Sequence, residues 1–248
     1  MTKAENYRAQ LTTLKTWDEF LMKESGLPGP RGNIELAQVV ADEGDEALFL
    51  RFLAFDATRA PTNSPYEFLA FCGAVGLGRL VAEGKRAYLK TLRACASDSR
   101  WRMREGVAMA LQRVGDANMP ALLREMEKWS AGNLLEKRAA VAALCEPRLL
   151  RERKHVERVL AILVDVTASI AHVQDRKSDE FIALKKGLGY CWSVAVAALP
   201  DTGKKKMEKW FARDDHDIRW IMRENLKKDR LRRMDSSWVT KWQARLNK

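Results

Sequence analysis

Arg219, Trp220 and Arg223 put an indole between two guanidinium groups within five residues. Such a surface stacks on a base through its ring and meets phosphate through its cations, so the chemistry it offers is nucleic-acid binding. Lys185, Lys186 and Lys227 add cations in the same C-terminal stretch, and Arg138 adds one upstream. Packing is the competing use for Trp220, because tryptophan buries a large apolar area wherever helices stack. On that ground most of the other seven tryptophans are assigned to packing.

No comparable set points to bond-making chemistry. His155, His172 and His216 are scattered, and none has a Cys, His or carboxylate at metal-ligand spacing on its own helix face. Cys72, Cys95, Cys145 and Cys191 lie 23, 50 and 46 residues apart among apolar neighbours. Zinc and redox sites use close pairs, so these read as reduced core thiols. The run Gly73-Ala74-Val75-Gly76-Leu77-Gly78 has its glycines in the wrong order for a dinucleotide loop. It falls inside an apolar helical stretch, where close packing between helices explains it better. No catalytic residue, metal or cofactor is assigned, and binding rather than catalysis is the expectation.

Charge distribution favours a polyanionic partner. The net charge is +11, and from Lys185 to the end 17 Lys and Arg stand against 8 Asp and Glu. The last 64 residues therefore carry +9 and the first 184 only +2. Such an excess invites nucleic acid first and an anionic membrane second, with a solubilising surface as the alternative. The longest uncharged run, residues 187–200, is fourteen residues long. A spanning helix needs about 20 apolar residues, so no membrane span is expected. No apolar leader opens the chain, and a cytoplasmic protein, taken as a monomer, is the expectation.

The elements that must position these residues are helices. A hydrophobic content of 46% with 31% charged residues suits a packed core. The seven prolines fall at places where helices begin or end, since proline costs a helix interior about 3 kcal/mol. Tyr7, Leu11, Leu14, Trp17 and Leu21 recur at three and four residues and predict one amphipathic first helix. About a dozen helices follow by the same reasoning, with Asp45 as a cap, loops at 25–33 and 57–65, and joints at Gly115 and Gly132. No strand is predicted. The short joints make neighbouring helices antiparallel pairs.

These pairs repeat. Residues 100–105 (RWRMRE) and 219–224 (RWIMRE) match at five of six positions, 119 residues apart, and each follows an aspartate, Asp98 or Asp217. Between them, Glu136-Lys137-Arg138-Ala139-Ala140 continues a similar pattern. The spacings of 34 and 85 residues between Arg104, Arg138 and Arg223 imply units of about 40 residues. Aspartate followed six residues later by arginine, then small residues at helical spacing, resembles the inner helix of a HEAT repeat. The resemblance implies an all-α solenoid spanning residues 1–248 as a single domain. Residues 1–63 would be irregular N-terminal helices, 64–146 regular repeats and 147–248 looser, basic repeats. It also implies that Asp98 with Arg104, and Asp217 with Arg223, tie neighbouring units together, and that a protein or nucleic-acid partner lies on the concave face.

A narrower resemblance, over roughly 100 residues, is to the HEAT-like DNA alkylation-repair glycosylases. It rests on residues 181–190 (FIALKKGLGY), Pro200, Trp210, Arg223-Glu224-x-Leu226-Lys227 and residues 133–140 (NLLEKRAA). By that likeness Arg138 would contact DNA. Those enzymes carry a catalytic aspartate in a preceding Trp-Asp-rich helix, whereas residues 101–111 contain no aspartate. Leu135 also stands where a tryptophan is expected. The resemblance thus implies a nucleic-acid-binding relative without the catalytic carboxylate.

Overall fold

The computed structural model describes residues 2–246. Among the described residues are fourteen α-helices, two single-turn 3-10 helices and no strand, so the chain is all-α. The helices form two compact units that divide between Ala117 and Asn118.

In the first unit α2 (Asp18–Glu24), α3 (Ile34–Glu43), α4 (Glu46–Leu53) and α6 (Tyr88–Cys95) surround α5 (Pro65–Ala82), and α1 (Lys3–Thr13) packs on α3. Helices α2, α3, α4 and α6 all pack on α5. A helix apolar on every side belongs in a core, and almost all of residues 67–81 are buried. The glycine run within α5 is a packing device, as expected. Gly73 faces the Phe49 carbonyl and Leu53, and Gly76 lies on the Phe49 ring. A Cβ on Gly78 would come within 2.4 Å of Ala110 Cα, on the N-terminal part of α7 (Trp101–Ser130). Side-chain caps set the helix starts: Asn33, Asp45 and Ser64 accept hydrogen bonds from the backbone N–H groups of Leu36, Leu48 and Glu67.

Two boundaries differ from the expected ones. The apolar face drawn through Tyr7, Leu14 and Leu21 does not lie on one helix, because the chain breaks between α1 and α2. The Thr12 and Thr13 hydroxyls donate to carbonyls of the last turn, Leu14 turns extended, and the Trp17 indole N–H donates back to the Leu11 carbonyl at 3.1 Å. Farther on, α7 breaks at Asn118 (φ −156°) rather than at Gly115. The Asn118 side chain accepts from the Ala121 N–H at 2.9 Å, and Pro120 lacks an N–H to continue the earlier ladder.

The second unit continues from residue 118 with α8 (Leu134–Leu144), α9 (Arg153–Ser169), α10 (Asp179–Ala198), α11 (Pro200–Phe211) and α12 (His216–Leu226). It ends with α13 (Asp229–Met234) and α14 (Ser236–Leu246). Helix α10 is its centre, packing against α8, α9, α11, α12 and α13. Trp192 of α10 is fully buried and donates from its indole to the Thr167 hydroxyl at 3.0 Å. Buried Asn225 ties α12 to α10, accepting from the Ser193 N–H at 2.7 Å and donating to the Leu188 carbonyl at 2.8 Å. Helix α13 has no counterpart in the sequence reading. Only Leu231 of its six residues is buried, so it lacks an apolar period of its own. No helix among the described residues is long and apolar enough to cross a membrane.

Candidate nucleic-acid interface

All seven residues singled out for nucleic-acid contact lie in the second unit. Arg138 is on α8, Lys185 and Lys186 are on α10, Arg219, Trp220 and Arg223 are on α12, and Lys227 closes α12 as its C-cap. Helix α10 packs against both α8 and α12. Gly189 relieves crowding toward α12, whereas Gly187 leaves ordinary contact distance toward α8. A Cβ at Gly187 would meet Arg138 Cγ at 3.5 Å, and one at Gly189 would meet Trp220 Cζ3 at 3.0 Å and Glu224 Cβ at 3.3 Å. Lysine-lysine-glycine-leucine-glycine therefore places cations beside one close contact, that of Gly189 with Trp220 and Glu224.

The cations divide by whether a carboxylate neutralises them. Lys185 does not face a ligand: its Nζ lies 2.6 Å from Asp217 Oδ1 and 4.9 Å from the centroid of the Trp220 ring. Asp217 also accepts from Arg176 at 3.1 Å, and Arg176 reaches Asp215 at 2.9 Å. Burial pushes the Asp217 carboxyl up, but the bonds from Lys185 and Arg176 outweigh it and hold the group below the usual aspartate range. Lys185 is thus an inter-helix tie. Lys227 is paired with Glu224 one turn back at 2.5 Å, and Lys204 with Asp235 at 2.9 Å. Half-buried Arg138 is engaged as well.

Lys186, Arg219 and Arg223 remain. Among the described residues none of the three has an ion pair or hydrogen bond from its side chain, and Lys186 and Arg219 are exposed. Lys186 belongs to an outward ridge on α10, Ile182, Lys186 and Tyr190, spaced by one helical turn. Trp220, Arg223 and Lys227 are three and four residues apart on α12, the first two half-buried and the third exposed. Tyr190 ends the stretch FIALKKGLGY, residues 181–190. It is 42% exposed, its hydroxyl accepts from Arg230 at 2.5 Å, and Arg230 and Lys228 lie 4.6 and 5.9 Å from its ring centroid. Its position one turn after Lys186 was the available signal.

The aspartate–arginine ties implied by the HEAT likeness take a different form. The Asp98 carboxylate holds Arg100 at 2.7 Å, while Arg104 donates to the main-chain oxygens of Asp98 and Ser99. Asp217 holds Lys185 and Arg176 rather than Arg223. The reason is reach: Arg100 folds back onto Asp98 two residues away, and α10 and the loop before it bring nearer cations to Asp217.

Among the described residues no group of three His, Cys, Asp or Glu side chains is placed to hold a metal ion. The four cysteines are free thiols. Burial pushes the thiols of Cys72 and Cys145 up, and that of Cys95 up to about 11, so these three are not poised as nucleophiles. No family model matches the chain, and comparison with curated proteins and with solved structures finds no match either.

Proposed function

We propose that the chain is a non-enzymatic, HEAT-like helical scaffold whose C-terminal unit binds a macromolecule, and that the macromolecule is a nucleic acid. The observation that carries this reading is the uncompensated set Lys186, Arg219 and Arg223 beside Trp220 and Tyr190, on two helices that pack together. Carboxylates pair with Lys185 and Lys227, whereas these three have no ion pair among the described residues and keep their charge for a partner. Exposed Tyr190 and half-buried Trp220 offer stacking platforms that tolerate any base. The repeat of residues 100–105 at 219–224 supports the HEAT-like reading. A partner protein with an acidic surface is the second reading, favoured by Ile182, an aliphatic side chain 36% exposed on the α10 ridge.

Fluorescence anisotropy with duplex and single-stranded oligonucleotides at rising salt tests the proposal. Micromolar binding that weakens steeply with salt is expected, and absence of binding at low salt overturns it. Base release from alkylated DNA, lost on Arg138→Ala, would overturn the non-enzymatic part.

A further inference from the structure

The first unit contains a cavity of about 390 Å³. Three of its ten lining residues are aromatic. Phe68 and Phe71 of α5 stack with ring centroids 6.2 Å apart and planes at 22°, and Trp101 of α7 lines the cavity while 44% exposed. Ile34 lines it too and is 54% exposed. Two large apolar side chains left open beside a cavity mark a place where a ligand can remove them from water.

A charged wall completes the cavity. Arg102 is only 5% exposed, and its guanidinium carbon lies 4.4 Å from the Trp101 ring centroid. One terminal nitrogen donates to buried Glu67 at 3.1 Å, and the other to the Gly29 carbonyl at 2.5 Å and to Asn63 Oδ1 at 3.2 Å. The remaining donor, the Arg102 Nε–H, is buried without a partner. A buried donor without an acceptor carries a desolvation cost that a bound acceptor would remove. Glu67 balances the charge of Arg102, but Arg31, exposed on the same lining, has no ion pair among the described residues. The one carboxylate on the lining, Glu105, already has a partner of its own.

We propose that this cavity binds a small aromatic carboxylate. The ring lies against Phe68, Phe71 and Trp101, and the carboxylate accepts from the Arg102 Nε–H and pairs with Arg31. An apolar ring alone would leave the Arg102 donor unpaired, and a cation would meet the unpaired guanidinium of Arg31. The volume is near the lower end of ligand cavities, about 300–1,000 Å³, which suits one ring or two fused rings. This site is in the first unit and independent of the nucleic-acid reading, whose residues are all in the second.

Isothermal titration calorimetry with 1-naphthoate, 1-naphthamide and 1-naphthylmethylammonium tests the proposal on the full chain. Saturable one-to-one binding of 1-naphthoate is expected with Kd below about 1 mM. The neutral amide should bind about tenfold more weakly, and the cation weaker still. Trp101→Ala and Arg31→Gln change exposed side chains, keep the fold by circular dichroism and should each weaken naphthoate binding about five- to tenfold. Absence of saturable binding, equal affinity for acid and amide, or full affinity retained in both variants overturns the proposal. The last result would place the ligand elsewhere, on the basic second unit for example.

Discussion

Lys185 and Lys186 are neighbours in sequence with opposite circumstances, and glutamine at each should separate the binding surface from the scaffold. Lys186 is exposed and unpaired, so on a phosphate backbone it releases about one counterion, or about 0.9 in the slope of log K against log salt. Lys186→Gln should flatten that slope by about 0.9, and Lys186→Gln with Arg219→Gln and Arg223→Gln by about 2.7. Between 50 and 200 mM salt, wild type should then lose about 40-fold more affinity than the triple variant. Lys185 instead spends its charge on Asp217, 2.6 Å away in a partly buried site. Lys185→Gln should move the slope by less than about 0.3. It should cost the second unit about 1–2 kcal/mol, because Asp217 keeps Arg176 but loses one charge-assisted bond. Anisotropy titrations at five salt concentrations, paired with urea denaturation, read both quantities. Equal flattening by the two single variants, or an untouched slope in the triple variant, would refute the division of the cations by neutralisation.

Acid should weaken the second unit through Asp217. Its carboxyl is held low in the folded state, so the stabilisation is complete above the unfolded value of about 3.9 and is lost as pH falls through the lower folded value; Asp217→Asn should make the fall in urea midpoint below about pH 4 shallower, and an unchanged profile would refute the assignment. Gly78→Ala should destabilise by at least about 2 kcal/mol, since its Cβ meets Ala110 backbone at 2.4 Å, whereas Gly187→Ala, with 3.5 Å to Arg138 Cγ, should stabilise by about 0.5–1 kcal/mol. Opposite signs in thermal denaturation check that contrast. Glu67→Ala should cost about 3–5 kcal/mol by leaving the buried Arg102 charge without its carboxylate, and a loss below about 1 kcal/mol in chemical denaturation would show the pair to be dispensable.

Helix identity was readable from the chain because its signals are local. Asp45 caps α4, the prolines sit at or near helix starts, and residues 134–144 form the helix their spacing predicts. The glycines of α5 were readable as packing residues for the same reason: a helix apolar on all sides must touch neighbours on all sides. Charge pairing was not readable. Lys185 meets Asp217 32 residues away and Arg102 meets Glu67 35 residues away, distances over which periodicity carries no information about which side chains meet. The break between α1 and α2 was missed because Leu14 and Trp17 keep helical spacing while a side-chain bond from Trp17 to the Leu11 carbonyl stabilises the alternative. The cavity was missed because it joins the loop before α3 to α5 and α7, three segments that no single stretch of sequence brings together.

The two near-identical segments show what such a motif can and cannot specify. Met103 and Met222 are both buried, which is the inward face that the repeat sets. Arg100 is 3% exposed, bonded to Asp98 and to the carbonyls of Phe55 and Ala60, whereas Arg219, its counterpart, is exposed and unpaired among the described residues. Trp101 lines a cavity; Trp220 sits against Gly189 and Lys185. At the one position that differs, Arg102 brings a buried charge and Ile221 an apolar side chain. The same letters therefore build the same helix but do not assign the same work to its arginines. That assignment depends on which acceptors are left in reach: Asp98 and two loop carbonyls serve Arg100, whereas Asp217, the equivalent aspartate beside Arg219, is held by Lys185 and Arg176. Cations left without an acceptor are the ones whose removal should be felt by a polyanion and hardly at all by the fold.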